Sequence, residues 1–207
     1  MRKSAIVLSG GFSNRFGQDK GIVLLAGKPL VRHVLDAVGY MANERIVVAS
    51  SEVQAEKLAK IVGSSVKVVV DIEDLRSPLV GALTGFKEAR SEYSLLLSCD
   101  VPLVSQDVLL LLLDLCTGKS AVVPRWPNCY IEPLQAVYRT DSTLKAAEKA
   151  LCEGKLNMQS MVDKLRGVRY VSTLVLRQLD PELRTFFNVN TPVDLKKAES
   201  LLKQVVR

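Results

Sequence analysis

Apolar residues in this chain fall into short continuous runs separated by longer stretches in which they recur every three or four positions. The runs Ser4–Leu8, Arg45–Ala49, Val66–Val70, Tyr93–Ser98 and Ser120–Pro124 are rich in Val, Ile, Leu and Ala. That is the pattern of strands buried on both faces of a sheet. Between them, Leu30–Val38, Glu52–Val62, Gly81–Ala89 and Ser105–Cys116 carry helical periodicity. Strand and helix alternate, so a parallel sheet with right-handed crossovers and helices on both faces is expected. The last third is less regular. Ile131–Tyr138 and Val168–Val171 read as strands, and Thr140–Glu153 and Asn157–Leu165 as helices. A final helix is expected to run toward Gln204 from Thr191 as N-cap, with Pro192 at its first position and Asp194 near its N-terminal dipole.

No linker, repeat or composition shift interrupts this order, and 207 residues suit one domain over 1–207 with a sizeable core. The hydrophobic content of 48% with only 5% aromatics fits an α/β layer protein. The run Val108–Leu113 is far shorter than the roughly 20 residues that span a bilayer, and Asp107 and Asp114 bracket it, so it reads as a buried helix. The apolar run near Met1 is too short for a signal peptide, which with four widely spaced cysteines and no C-x-x-C pair leads to an expectation of reduced thiols in the cytoplasm. His33 is the sole histidine; a zinc site is therefore not expected, and His33 reads as a packed helix residue. The net charge of +6 favours anionic partners, but without a dense Lys/Arg tract it points to phosphorylated small molecules and away from nucleic acid or a membrane.

The chemistry concentrates where strands end, which is where ligands sit in open α/β sheets. After Ala5–Leu8 the chain breaks into Ser9-Gly10-Gly11, then Ser13, Asn14, Arg15, Gly17 and Lys20. Paired glycines let backbone N–H groups approach an anion, Arg15 can fork two donors onto phosphate oxygens, and Lys20 adds a mobile charge. The spacing is neither that of the P-loop nor that of the dinucleotide fingerprint. Asp100, in Ser98-Cys99-Asp100-Val101-Pro102, follows the strand Tyr93–Ser98 and suits Mg²⁺, which takes one or two carboxylates and completes its shell with water and phosphates. Asp71 ends Val66–Val70; with Glu73 and Asp74 it would by itself read as an acidic surface turn. Ser77-Pro78-Leu79-Val80-Gly81 follows. Asn188 and Asn190, alternate positions of Phe187-Asn188-Val189-Asn190-Thr191-Pro192-Val193-Asp194-Leu195, would project the same way from an extended stretch.

These segments resemble a known family. The first loop is similar to the G-G-x-S-x-R-x-G-x-x-K loop of nucleotidyltransferases with a glycosyltransferase-A-like fold. The P-L-x-G segment, the F-N-V-N-T-P-x-D-L segment and the P-L-x-A-x-Y pattern in Pro133–Tyr138 resemble the molybdenum cofactor guanylyltransferases. The resemblance implies a Rossmann-like three-layer α/β sandwich with a mainly parallel sheet, of the nucleotide-diphospho-sugar transferase type. It implies GMP transfer from GTP to the terminal phosphate of molybdopterin, with Mg²⁺ on Asp100. Leu8, Ser9, Gly10, Gly11, Lys20, Asp71 and Asp100 would then meet the nucleotide, with Arg15, Lys20 and Asp100 catalytic. Pro78, Leu79, Gly81, Asn188 and Asn190 would contact substrate. Contact with cofactor-delivering or molybdoenzyme proteins is a further expectation.

The chain also departs from that family. Ser77 replaces the usual first glycine of G-P-L-x-G, Ala49-Ser50-Ser51 stands where an asparagine often contacts the nucleotide, and Gly154–Asn157 lacks an arginine often found there. Trp126 either lies against a flat ring system or covers a loop. At this level a cytidylyltransferase for the pterin, a transferase for a sugar, polyol or lactyl phosphate, and a non-catalytic nucleotide-binding module all stay open.

Overall fold

The computed structural model describes residues 2–10, 12, 13, 15–71 and 77–205. Seven strands form one twisted sheet: β1 Lys3–Leu8, β2 Glu44–Ala49, β3 Lys67–Val70, β4 Tyr93–Ser98, β5 Ala121–Arg125, β6 Gln135–Arg139 and β7 Val168–Ser172. Their spatial order is β7-β5-β6-β4-β1-β2-β3. β1 pairs in parallel with both β2 and β4, and β2 in parallel with β3. β6 runs antiparallel to its neighbours β4 and β5, and β7 is parallel to β5. The sheet is thus mainly parallel, with one reversed strand.

Successive side chains of a strand point to opposite faces, and here both faces are apolar. Ala5 and Val7 of β1, Val47 of β2, and Leu95 and Leu97 of β4 pack against α1 (Leu30–Val38), α2 (Glu52–Val62) and α4 (Gln106–Asp114). Ile6, Leu8, Ile46, Val48 and Leu96 face the other way, onto α3 (Pro78–Glu88), α5 (Thr140–Cys152) and α6 (Met158–Val162). The result is a three-layer α/β sandwich. Close approach of α3 to the sheet depends on Gly85: a Cβ there would lie 2.3 Å from Ile6 Cγ2. The run Val108–Leu113 lies in α4 with Val108, Leu109, Leu112 and Leu113 buried. No helix among the described residues is long and apolar enough to cross a membrane.

Several boundaries differ from the sequence reading for local reasons. α3 begins at Pro78 rather than Gly81, because Ser77 Oγ accepts from Val80 N and Pro78 takes the first helical position. Of the expected strand Ile131–Tyr138, only Gln135–Arg139 joins the sheet, with Ile131 bridging Arg125. The expected helix Asn157–Leu165 is the shorter α6, capped by Asn157. A short helix, α7 (Thr173–Leu176), was not foreseen.

The last helix, α8 (Pro192–Val205), starts as the sequence suggests. Thr191 Oγ1 accepts from Asp194 N at 3.2 Å, while Asp194 Oδ2 accepts from the Thr191 N–H and hydroxyl at 2.9 and 2.8 Å. This reciprocal cap holds the Asp194 carboxyl below its usual range, the Thr191 hydroxyl being the main cause. Ala198 of α8, Val189 and the Leu24–Leu25 ribbon form a separate small core that anchors the helix beside the carboxyl ends of the strands.

Candidate active site

Four parallel strands deliver their carboxyl ends to one cleft of about 340 Å³. β1 contributes Leu8 and Gly10, β2 contributes Val48, Ala49 and Ser50, β3 leads to Asp71, and β4 leads to Ser98 and Asp100. Backbone bonds continue the ladder past the strand ends and so set these residues: Cys99 N to Leu8 O, Ser9 N to Val48 O and Asp71 N to Ala49 O, each 2.8–2.9 Å. The opposite wall carries Ser77, Pro78 and Gly81 from the start of α3, and Leu134 from the turn before β6.

At one end of the cleft, three distant parts of the chain meet. Lys20 Nζ donates to Asp100 Oδ2 at 2.6 Å and also to Asn190 Oδ1. Asp100 is further tied to the asparagine segment by Val189 N, which donates to the Asp100 carbonyl at 2.8 Å. Val189 is fully buried while Asn188 and Asn190 are exposed, the alternation expected of extended backbone. Asn188 does not join the cluster; its amide donates to Phe186 O at 3.3 Å. Arg15, in the turn leading to Gln18–Asp19, is exposed.

The Asp100 carboxylate has its other oxygen, Oδ1, buried with no hydrogen-bond partner among the described residues. A buried anionic acceptor left unmatched is costly, and a hard cation beside it removes that cost. Among the described residues no group of three His, Cys, Asp or Glu side chains lies together. This donor set therefore suits an ion that takes one carboxylate from the protein and the rest of its shell from water and phosphate, as Mg²⁺ does. Next door, burial first and the Asp100 charge second push the Cys99 thiol up to about 12, so it stays protonated and unreactive.

The glycine loop is built for close approach. Apart from its chain neighbours, a Cβ on Gly10 would meet no atom of the described residues within 4 Å, and Gly10 lines the cleft. Gly21 has the opposite reason to lack a side chain: a Cβ there would lie 2.0 Å from Ser9 Oγ, so the turn after Lys20 seats directly on Ser9. Gly11 lies outside the described residues. Asp71 accepts from Thr84 Oγ1 at 2.7 Å, which steadies it against α3. Leu79, expected to contact substrate, is fully buried against Ile6, Leu8 and Leu83 and is not part of the cleft lining.

Residues 5–168 match the sequence model of the family described as MobA-like NTP transferase domain. The chain belongs to this family. Among curated relatives it is similar to the probable molybdenum cofactor guanylyltransferases of Methanosarcina mazei, 32% identical over 99% of this chain and 93% of the relative, and of Methanosarcina acetivorans, 34% identical over 99% and 92%. Among solved structures it resembles the molybdopterin-guanine dinucleotide biosynthesis protein A of Archaeoglobus fulgidus, with a TM-score of 0.81 at 30% identity over 97% of this chain and 99% of the other. The 2-C-methyl-D-erythritol 4-phosphate cytidylyltransferase of Thermus thermophilus has the same fold, with a TM-score of 0.72 at 18% identity over 98% and 100%.

Some features of this MobA-like chain were not anticipated. Gln54, 1% exposed, sits behind the glycine loop and bonds both Ser9 and Ser50. Its trace in the sequence is the Ser51-x-x-Gln54 pattern of a capping box, in which the Gln side chain reaches back toward the helix start. Ser51 does cap α2, accepting from Gln54 N at 3.3 Å. Trp126 covers a loop: its indole donates to Glu132 Oε1 at 2.7 Å and its ring meets Phe186 edge-on, 5.7 Å between centroids. Burial raises the Glu132 carboxyl. His33 is half-buried, its Nε2 2.9 Å from Leu25 O, and burial lowers its pKa.

Proposed function

We propose that this chain transfers GMP from GTP to the terminal phosphate of molybdopterin, releasing pyrophosphate. The observation that carries the reading is the Lys20–Asp100–Asn190 cluster at the end of a strand-end cleft, in a chain whose full-length relatives are named molybdenum cofactor guanylyltransferases. A phosphate oxygen of the pterin forms the new bond to the α-phosphorus of GTP, and the bond to the β-phosphate breaks. The nucleophile is already anionic, so positioning and charge neutralisation matter more than proton abstraction. Leu8, Ser9, Gly10 and Gly11 would hold the nucleotide against β1, with Asp71 toward β3. Lys20, with Arg15 on the loop before it, would stabilise charge growing on the leaving pyrophosphate. Asp100 would hold Mg²⁺, which when bound neutralises and orients phosphate oxygens. Asn190 would meet the acceptor beside Lys20, and Pro78, Gly81 and Asn188 would line its approach. The reaction would run in the cytoplasm, with molybdoenzymes or cofactor-delivering proteins taking part in exchange of the pterin.

The test is pyrophosphate release by purified protein given molybdopterin and each of the four NTPs, with and without Mg²⁺. GTP should support turnover best, and only with pterin present. Equal release with another acceptor, or a clear preference for CTP, would overturn the assignment.

A further inference from the structure

We infer that Gln54 is a positioning residue that fixes the hydrogen-bond polarity of the nucleotide cleft, turning the Gly10 N–H away from α2 and making Ser50 an acceptor toward the base. The base part of this rests on the guanylyltransferase reading; the coupling of Gln54 to Ser9 and Ser50 does not.

The argument starts at Ser9, whose carbonyl can only accept. Gln54 Nε2 lies 2.7 Å from it in a buried setting, so this end of the amide is the NH₂ group, and Oε1 must face the other way. Oε1 accepts twice from Ser50, from its N–H at 2.7 Å and its hydroxyl at 3.0 Å. The Ser50 proton is thereby committed, and what its oxygen offers to the cleft is lone pairs. The Ser9–Gly10 peptide is trans, and in a planar trans peptide C=O and N–H point in opposite directions. With the Ser9 oxygen held by Gln54, the Gly10 N–H points away from α2, and Gly10 lines the cleft.

One buried amide thus sets a donor and an acceptor on the same wall. The distance from Ser50 to the Lys20–Asp100 end of the cleft suits the length of a nucleotide. Ser50 follows β2, two strand spacings or roughly 10 Å from the end of β4 that carries Asp100, whereas Gly10 follows the intervening β1. A triphosphate at Lys20 and Asp100 therefore puts its base toward Ser50. Guanine offers N–H groups on its Watson–Crick edge, which an acceptor recognises; purine riboside, of similar shape, offers none there.

The experiment measures binding of GTP, ATP, CTP, UTP and purine riboside triphosphate by calorimetry to the wild-type chain, Ser50→Ala, Gln54→Leu and the double variant, with melting curves confirming folding. Ser50→Ala should weaken GTP by about tenfold and purine riboside triphosphate by less than about twofold, since losing an acceptor affects only a base that donates. Gln54→Leu should weaken every triphosphate, by releasing the Gly10 peptide, and should also narrow the gap between GTP and purine riboside triphosphate. The double variant should narrow that gap no further than either single one, the signature of two residues acting as one unit. A folded Gln54→Leu chain with the wild-type gap, or additive effects in the double variant, would overturn the inference. Should Gln54→Leu fail to fold, Gln54→Glu serves instead: it keeps acceptors for Ser50 but loses the donor to Ser9, so it should weaken all triphosphates and leave the gap intact. If another NTP binds the wild type best, the guanine reading falls, and the Gln54–Ser50 coupling is judged on that NTP.

Discussion

Asp100 and Gly10 illustrate how individual residues here are released from structural duty. Asp100 keeps one buried carboxylate oxygen without a partner among the described residues, and its other oxygen is on Lys20. Asp100→Asn should lower turnover by about two to three orders of magnitude while the melting temperature changes little, as for loss of an electrostatic catalytic group. Near-normal Mg²⁺-dependent turnover in that variant would remove Asp100 from the mechanism. Gly10 has open space where a side chain would go. Gly10→Val should therefore fold and melt like the parent yet lose GTP binding, because the added methyls occupy ligand space rather than core. Calorimetry with GTP beside a melting curve separates the two effects. Asn188 and Asn190, equivalent by pattern, are not equivalent in the fold, since only Asn190 reaches Lys20. Asn190→Ala should reduce acceptor use more than GTP affinity, and more than Asn188→Ala does; steady-state kinetics with varied pterin decides this.

Packing constraints dominate at the level of strands and helices. A Gly85→Ala change forces a Cβ into the Ile6 side chain, and such overpacking costs typically about 1–3 kcal/mol, readable from urea denaturation. Helix α8 carries a pH signature. The Asp194 pKa is depressed below its ordinary 3.8 by the Thr191 hydroxyl and neighbouring N–H groups. Its cap therefore contributes fully above the unfolded-state pKa and is lost as pH falls through the lower folded-state value. Asp194→Asn should melt below the parent at neutral pH, with the gap closing as the pH drops under about 4. Legibility in the sequence follows the same physics. The parallel strands were readable because double-faced burial leaves continuous apolar runs such as Tyr93–Ser98. The apolar period alone places the start of α3 at Gly81, whereas Ser77-Pro78 carries the same cap-then-proline signal as Thr191-Pro192 and sets the true start at Pro78. Asp100 stood out because a charged group at an apolar strand end is conspicuous, and Lys20 because it closes a glycine-rich loop that carries Arg15. Gln54 did not: the Ser51-x-x-Gln54 pattern marks a helix start, but nothing in it points to the cleft until Ser9 and Ser50 are placed in space.

Across the whole molecule, the cleft draws on both ends of the described chain. The matched family stretch ends at residue 168, whereas Val189 and Asn190 reach Asp100 and Lys20 from beyond it. Lys20 and Asn190 are 170 positions apart, and the segment that bridges them rests on the small core shared by Val189, Leu25 and Ala198 rather than on the sheet. Contacts spanning so much chain carry the largest loop-closure entropy and gain their reward only after the intervening structure has formed. A polypeptide still being synthesised can therefore complete all seven strands before it owns a finished cleft. Opening of the last helix from its small core would withdraw Asn190 from Lys20 and Val189 from Asp100 while the sheet and the strand-end cleft stay intact, so this transferase would lose one end of its site before it unfolds.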